Sequence, residues 1–117
     1  MTPYNTCDMV GAWQFDYYNA KVAALIEAWP PGVLASFQRI ARSMQEHGPD
    51  LGLPHTRAMG GGLFEVRAKG REGIGRAFYC TVAGQRIVIL HAIVKKTEQT
   101  PPRELATARA RMKEVKA

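Results

Sequence analysis

Between Gly60 and Pro102 the chain concentrates side chains able to act on a phosphodiester. Glu65, Arg67 and Lys69 recur at every second position, followed by Arg71, Arg76 and Tyr79, then His91 and the pair Lys95-Lys96. A guanidinium offers phosphate a rigid two-pronged donor, and an ammonium offers a point charge. Histidine is the side chain whose ordinary pKa, about 6.5, lies near neutrality, so it can carry a proton. A surface with several cations and one histidine suits a phosphate backbone. The residues leave open whether it holds RNA or cuts it.

Such side chains act together only if strands bring them to one face. Alternation over 62–69 puts Leu63, Glu65, Arg67 and Lys69 on one side and Phe64, Val66 and Ala68 on the other. A second strand, about 74–82, puts Arg76, Phe78 and Cys80 opposite Ala77, Tyr79 and Thr81. Ala83-Gly84-Gln85 makes a tight hairpin into a third strand, 86–94, whose nearly continuous apolar run predicts a central position. By the same alternation His91 shares a face with Ile87, Ile89 and Ile93.

Upstream, Trp13–Tyr17 alternates as a short strand after a loose leader over 1–10. Asn19 caps a helix over about 20–29 with Val22, Leu25, Ile26 and Trp29 on one face. Pro30-Pro31 ends it and starts a second helix, about 31–46, striped by Val33, Phe37, Ile40 and Met44. His47-Gly48-Pro49 closes that helix, and the two helices are expected to form an antiparallel αα-hairpin. Residues 51–55 read as a connecting loop and Gly60-Gly61-Gly62 as a turn. The glycines lack the Lys-Ser/Thr of a P-loop and no helix follows. Thr100 is an N-cap candidate with Pro101 at the first helical position. The last helix, about 101–115, carries Leu105, Ala108, Met112 and Val115 inward and Arg103, Arg109, Arg111 and Lys113 outward. The expected fold class is α+β in the order β-α-α-β-β-β-α, with a small, mainly antiparallel sheet.

The 117 residues fit one domain, 1–117, and 46% hydrophobic content supports a core without staples. The net charge is +6 and unevenly placed. Residues 1–60 hold four Lys/Arg against five Asp/Glu, and residues 61–117 hold twelve against five. The basic half suits a polyanion. Cys7 and Cys80 make no disulfide framework and read as reduced thiols. No apolar run approaches the roughly 20 residues of a membrane span, and 1–10 lacks the features of a signal peptide. No His/Cys/Asp/Glu cluster has metal-ligand spacing, so neither a metal nor another cofactor is expected.

The ordered series Glu46-His47-Gly48-Pro49, Leu53-Pro54, Gly62–Arg67, Arg76–Tyr79, Ile89–Thr97 and Thr100-Pro101 resembles the RelE/ParE toxin superfamily, and within it the HigB-like, phage-derived branch. The likeness covers about residues 12–115. It implies a RelE-like fold and a cytoplasmic toxin of a type II toxin–antitoxin system. It further implies a ribosome-dependent mRNA endonuclease without a metal. The implied partners are a cognate antitoxin, of helix-turn-helix type, mRNA and the ribosome. Operator DNA would be met only through the antitoxin complex, and no membrane is involved. Two other functions remain open: a ParE-like inhibitor of DNA gyrase without nuclease activity, and an inactive phage-derived antitoxin-binding or RNA-binding module.

Cleavage through the 2′-OH needs a base for that hydroxyl, cations for the charge growing on phosphate and an acid for the 5′-oxygen. The resemblance puts Arg67, Arg76 and Lys95 in the catalytic set; the residues themselves offer His91, the natural titrating group, and Tyr79 as candidate proton carriers. Lys69, Arg71 and Lys96 extend the RNA track. His91 can equally be a satisfied core histidine, Tyr79 a core tyrosine or a stacking platform, and Glu65 a base or an ion-pair partner. Several relatives carry a catalytic tyrosine near the C-terminus, whereas this chain has no aromatic residue after Tyr79.

Overall fold

The structure, a computed structural model, describes residues 13–95 and 100–116, with the backbone alone for Lys95. The leader 1–10, Cys7, Lys96 and Thr97 lie outside the described residues. The elements are β1 (Gln14–Tyr17), α1 (Ala20–Glu27), α2 (Pro31–His47), β2 (Thr56–Gly60), β3 (Leu63–Gly70), β4 (Gly73–Val82), β5 (Arg86–Lys95) and α3 (Pro102–Lys116). They form an α+β fold with one mixed sheet in the order β1-β5-β4-β3-β2. β1 runs parallel to β5, and the other pairs are antiparallel.

Two expectations about the sheet change. β2 was not expected: Thr56–Gly60 pairs antiparallel with β3, with a register shift between Ala58 and Gly60. β4 takes the central position and β5 lies beside it. The helices are also placed differently from a hairpin. α1 packs on β5 and β1, and α2 on β3 and β4, so each is held by the sheet more than by the other.

The local signals for α1 and α2 hold. The Asn19 side chain accepts from the Val22 N–H at 3.0 Å and caps α1. Gly48, with φ of +106°, closes α2 and donates its N–H to the Met44 carbonyl. Glu72 accepts from the Gly32 N–H at 3.2 Å, which sets a carboxylate at the positive end of α2. Thr100 does not cap α3, since its Oγ1 has no hydrogen-bond partner; the first turn is closed by the Pro101 carbonyl, which accepts from Glu104 and Leu105.

Each face of the sheet buries its own core. On one, α1 and α2 cover Val66, Ala68, Ala77, Tyr79, Ile87, Ile89 and Ala92, with Phe15, Phe37 and Trp29 in edge-to-face contact. On the other, α3 covers Leu63, Phe78, Cys80, Val88 and Leu90. Burial there pushes the Cys80 thiol pKa up, which suits a packing residue rather than a reactive one. No described helix is long and apolar enough to cross a membrane.

α2 can sit this close to the hairpin only because Gly70 has no side chain. A Cβ there would meet the Val33 nitrogen at 2.6 Å and the Gly32 carbonyl carbon at 2.7 Å, both backbone atoms. Gly70→Ala is therefore expected to lift the α2 N-terminus off the sheet and to cost about 1–3 kcal/mol, as overpacking does. Urea unfolding checks this; a wild-type midpoint for the variant would refute it.

Candidate phosphate-binding site

Strand register, read residue by residue, builds the basic face. Glu65 lies opposite Phe78 and Arg67 opposite Arg76, while Lys69 faces Ile74. Phe78 in turn faces His91, Arg76 faces Ile93 and Ile74 faces Lys95. Three cross-strand rows result, about 7 Å apart. The described side chains of these rows lie on the α3 side of the sheet, and α3 covers Phe78 in the first row.

His91 reaches this face by an irregularity the alternation did not reveal. Between Phe78 and Tyr79 the register of β4 and β5 slips, so that Phe78 pairs with His91 but Tyr79 with Ile89, leaving Leu90 as an extra residue in β5. Ile87 and Ile89 thus belong to the α1/α2 core, and Leu90 and Ile93 to the α3 side. His91 therefore shares a face with Ile93 but not, as expected, with Ile87 and Ile89. Its Nε2 sits 2.6 Å from Glu104 Oε1, in the first turn of α3, and its buried Nδ1 has no hydrogen-bond partner.

Glu65 is the centre of the face. It is fully buried, as is Arg76, whose Nη1 donates to Glu65 Oε2 at 2.9 Å. The other carboxylate oxygen faces Arg57 Nη2 at 3.2 Å and Arg67 Nε at 3.8 Å. Three guanidiniums thus converge on one carboxylate and leave two positive charges in surplus among these four residues. Of the three, Arg57 is the most open to solvent, with 42% of its side chain exposed; Arg67 shows 11% and Arg76 none. Arg57 was missed because no element was expected over 56–59, between the loop at 51–55 and the turn at 60–62; as part of β2 it stands in register with Glu65.

The remaining candidates divide. Lys69 and Arg71 are exposed at the end of β3 and in the turn that follows, along the same face. Lys95 occupies the row of Lys69 by register, and Lys96 lies outside the described residues. Tyr79 is not brought to the cluster. It lies on the opposite face, stacked on Phe64 at 5.5 Å, and its hydroxyl donates to the Pro49 carbonyl. Burial, the largest cause, drives its pKa well above the ordinary tyrosine value; a hydrogen bond with Thr56 opposes this and the Asp50 charge adds to it.

A raised acid pKa means that the folded state holds its proton longer than the unfolded chain does. The Tyr79 contribution to stability is thus complete below about pH 10, the unfolded value, and is lost as pH rises above it. Urea unfolding at pH 9 and 11 should show a larger loss for the wild type than for Tyr79→Phe. Equal losses would refute the assignment.

Two C-terminal arginines expected to face outward turn inward instead. Arg109 donates to the Met59 and Gly60 carbonyls at 2.8 and 3.0 Å, and Arg111 to the Leu90 carbonyl at 2.8 Å. They clamp α3 across the sheet, from β2 to β5. Among the described residues no three His, Cys, Asp or Glu side chains gather as metal ligands.

The structure thus sets a basic sheet face, centred on one buried carboxylate, in a small α+β domain. Residues 24–113 match the family model of phage-derived Gp49-like proteins (DUF891). The chain belongs to this family, a RelE-like toxin family whose members are commonly the toxin of a toxin–antitoxin pair. No curated protein matches it.

Proposed function

We propose that the chain is a HigB-like toxin with a RelE-like topology that cuts mRNA on the ribosome without a metal and is held inactive in the cytoplasm by a cognate antitoxin. The observation that carries this is the set of three arginines around Glu65, with its surplus positive charge, on the face that also bears Lys69 and His91. Arg57, the member most open to solvent, and Arg67, which is 11% exposed, bind the scissile phosphate and stabilise the charge that grows on it. Arg76 supports them from below through Glu65. Lys69, Arg71, Lys95 and Lys96 hold the flanking RNA.

In the reaction the 2′-oxygen attacks phosphorus and the bond to the 5′-oxygen breaks. The products are a 2′,3′-cyclic phosphate and a 5′-hydroxyl. One proton leaves the 2′-oxygen and one reaches the 5′-oxygen. His91, oriented by Glu104 through its Nε2, serves this transfer. Tyr79 has no part in it, because it lies on the other face.

The test is induced expression with mapping of mRNA 5′ ends, alongside a translation extract with and without ribosomes. New 5′-hydroxyl ends at ribosome-bound positions are expected. Growth arrest with intact mRNA and blocked DNA supercoiling would overturn the proposal in favour of gyrase inhibition.

A further inference from the structure

α1 is apolar on both sides. Val22 and Ile26 are buried in the core, yet the outward positions are Ala20, Ala24 and Leu25, followed by Ala28, with Lys21 and Glu27 as the only charged residues. A helix that is apolar all round is one that something covers. Leu25 is 44% exposed and Val94, on β5, 40%. Val94 lies opposite Gly75, the glycine under the Trp29 ring, which puts it beside the end of α1.

Between α1 and α3 lies a cavity of about 400 Å³. Val22, Ala24, Leu25 and Ala28 form its apolar wall, and Lys21, His91 and Arg111 bring its polar groups. No carboxylate residue lines it. The adjoining edge of β5 is open as well. β1 pairs with β5 only as far as Ile89, where Tyr18 N–H donates to the carbonyl, and no described strand flanks β5 beyond it.

We propose that this surface docks an acidic segment of a separate partner protein, which seats an aliphatic side chain against Leu25 and sets its carboxylates on Lys21 and Arg111. Charge complementarity selects the partner: the lining carries two permanent cations and one histidine. The aliphatic wall selects protein over RNA. Unpaired bases are held by stacking on aromatic faces; no Phe, Tyr or Trp lines the cavity, and its one ring, His91, is only 14% exposed. The Tyr18 ring nearby is already covered by Arg111, at 4.7 Å. A segment seated here touches His91, the residue that also meets Glu104, so it can act on the phosphate-binding face without covering the arginines. The proposal concerns a second surface and stands whether or not the chain cuts RNA.

The test is fluorescence anisotropy of the full chain with a short fluorescein-labelled peptide of glutamate and leucine. A lysine–leucine peptide and an oligoribonucleotide serve as comparison probes. Lys21→Glu and Leu25→Asp change exposed side chains, so the fold is expected to persist. Each should weaken the acidic peptide at least about tenfold, or about 1.4 kcal/mol, and leave the oligoribonucleotide unchanged. The proposal is overturned if the wild type does not bind the acidic peptide, or if it binds the lysine–leucine peptide as tightly. It is also overturned if both variants bind the acidic peptide like the wild type, or if they lose the oligoribonucleotide instead. Self-association of the wild type that Leu25→Asp abolishes would show that a second copy covers this face, and would overturn it too.

Discussion

Arg76→Ala is expected to remove about 3–5 kcal/mol of stability, because it leaves the Glu65 carboxylate buried with its closest partner gone. That is a large part of the roughly 5–15 kcal/mol that holds a domain of this kind together. Arg57 and Arg67 remain within reach of the other carboxylate oxygen, but at 3.2 and 3.8 Å and from partly solvated positions. They soften the loss without replacing the bond. Glu65→Ala should behave alike, since it strands three guanidiniums around an empty centre. Replacing both partners with apolar residues, as in Glu65→Leu with Arg76→Met, removes both charges at once and should recover most of the stability. Urea unfolding of the two single variants and the double checks this. A single variant as stable as the wild type, or a double variant no better than the singles, would refute the account. It follows that loss of toxicity in Arg76→Ala carries no information about catalysis unless the protein is shown to be folded.

Much of this architecture was legible because period and punctuation agreed. Asn19, Pro31 and Gly48 mark helix ends by local chemistry that does not depend on the rest of the fold. The apolar stripe of α2 and the alternation of β3 and β4 follow from covering one side or two. What failed to show depended on partners distant in sequence. β2 is five residues long, carries one buried side chain, Thr56, and ends on a glycine, so it is a strand only because β3 pairs with it. The extra residue at Leu90 leaves no mark in an apolar run, although it decides which face His91 serves. Arg109 and Arg111 read as solvent-facing because nothing local announces carbonyls about 20 to 50 residues away in other strands. The same blindness hid Arg57. The basic face was legible as composition and Glu65 as an ion-pair partner of Arg67 or Arg76, but that three arginines, Arg57 among them, converge on this one carboxylate emerged only from the register.

That centre decides which substitutions report on RNA. Glu65 and Arg76 are inaccessible, so contact with a phosphate falls to Arg57, on β2, and Arg67, on β3, which approach the same carboxylate oxygen. Neither is required to neutralise a buried charge by itself, because Arg76 already does so. Arg57→Ala and Arg67→Ala are therefore expected to stay folded, with urea midpoints close to the wild type. If they hold the phosphate as its charge grows, each should slow single-turnover mRNA cleavage by about 100- to 1,000-fold, the scale for losing one preorganised donor to a developing anion. Arg67→Lys should recover only a part, since an ammonium keeps the charge but not the fork. Binding of a labelled oligoribonucleotide should also become less steeply dependent on salt in each variant, as one phosphate contact disappears. Cleavage at the wild-type rate by a folded Arg57→Ala, Arg67→Ala double variant would remove the phosphate from this face and leave Glu65 and its arginines as a structural knot.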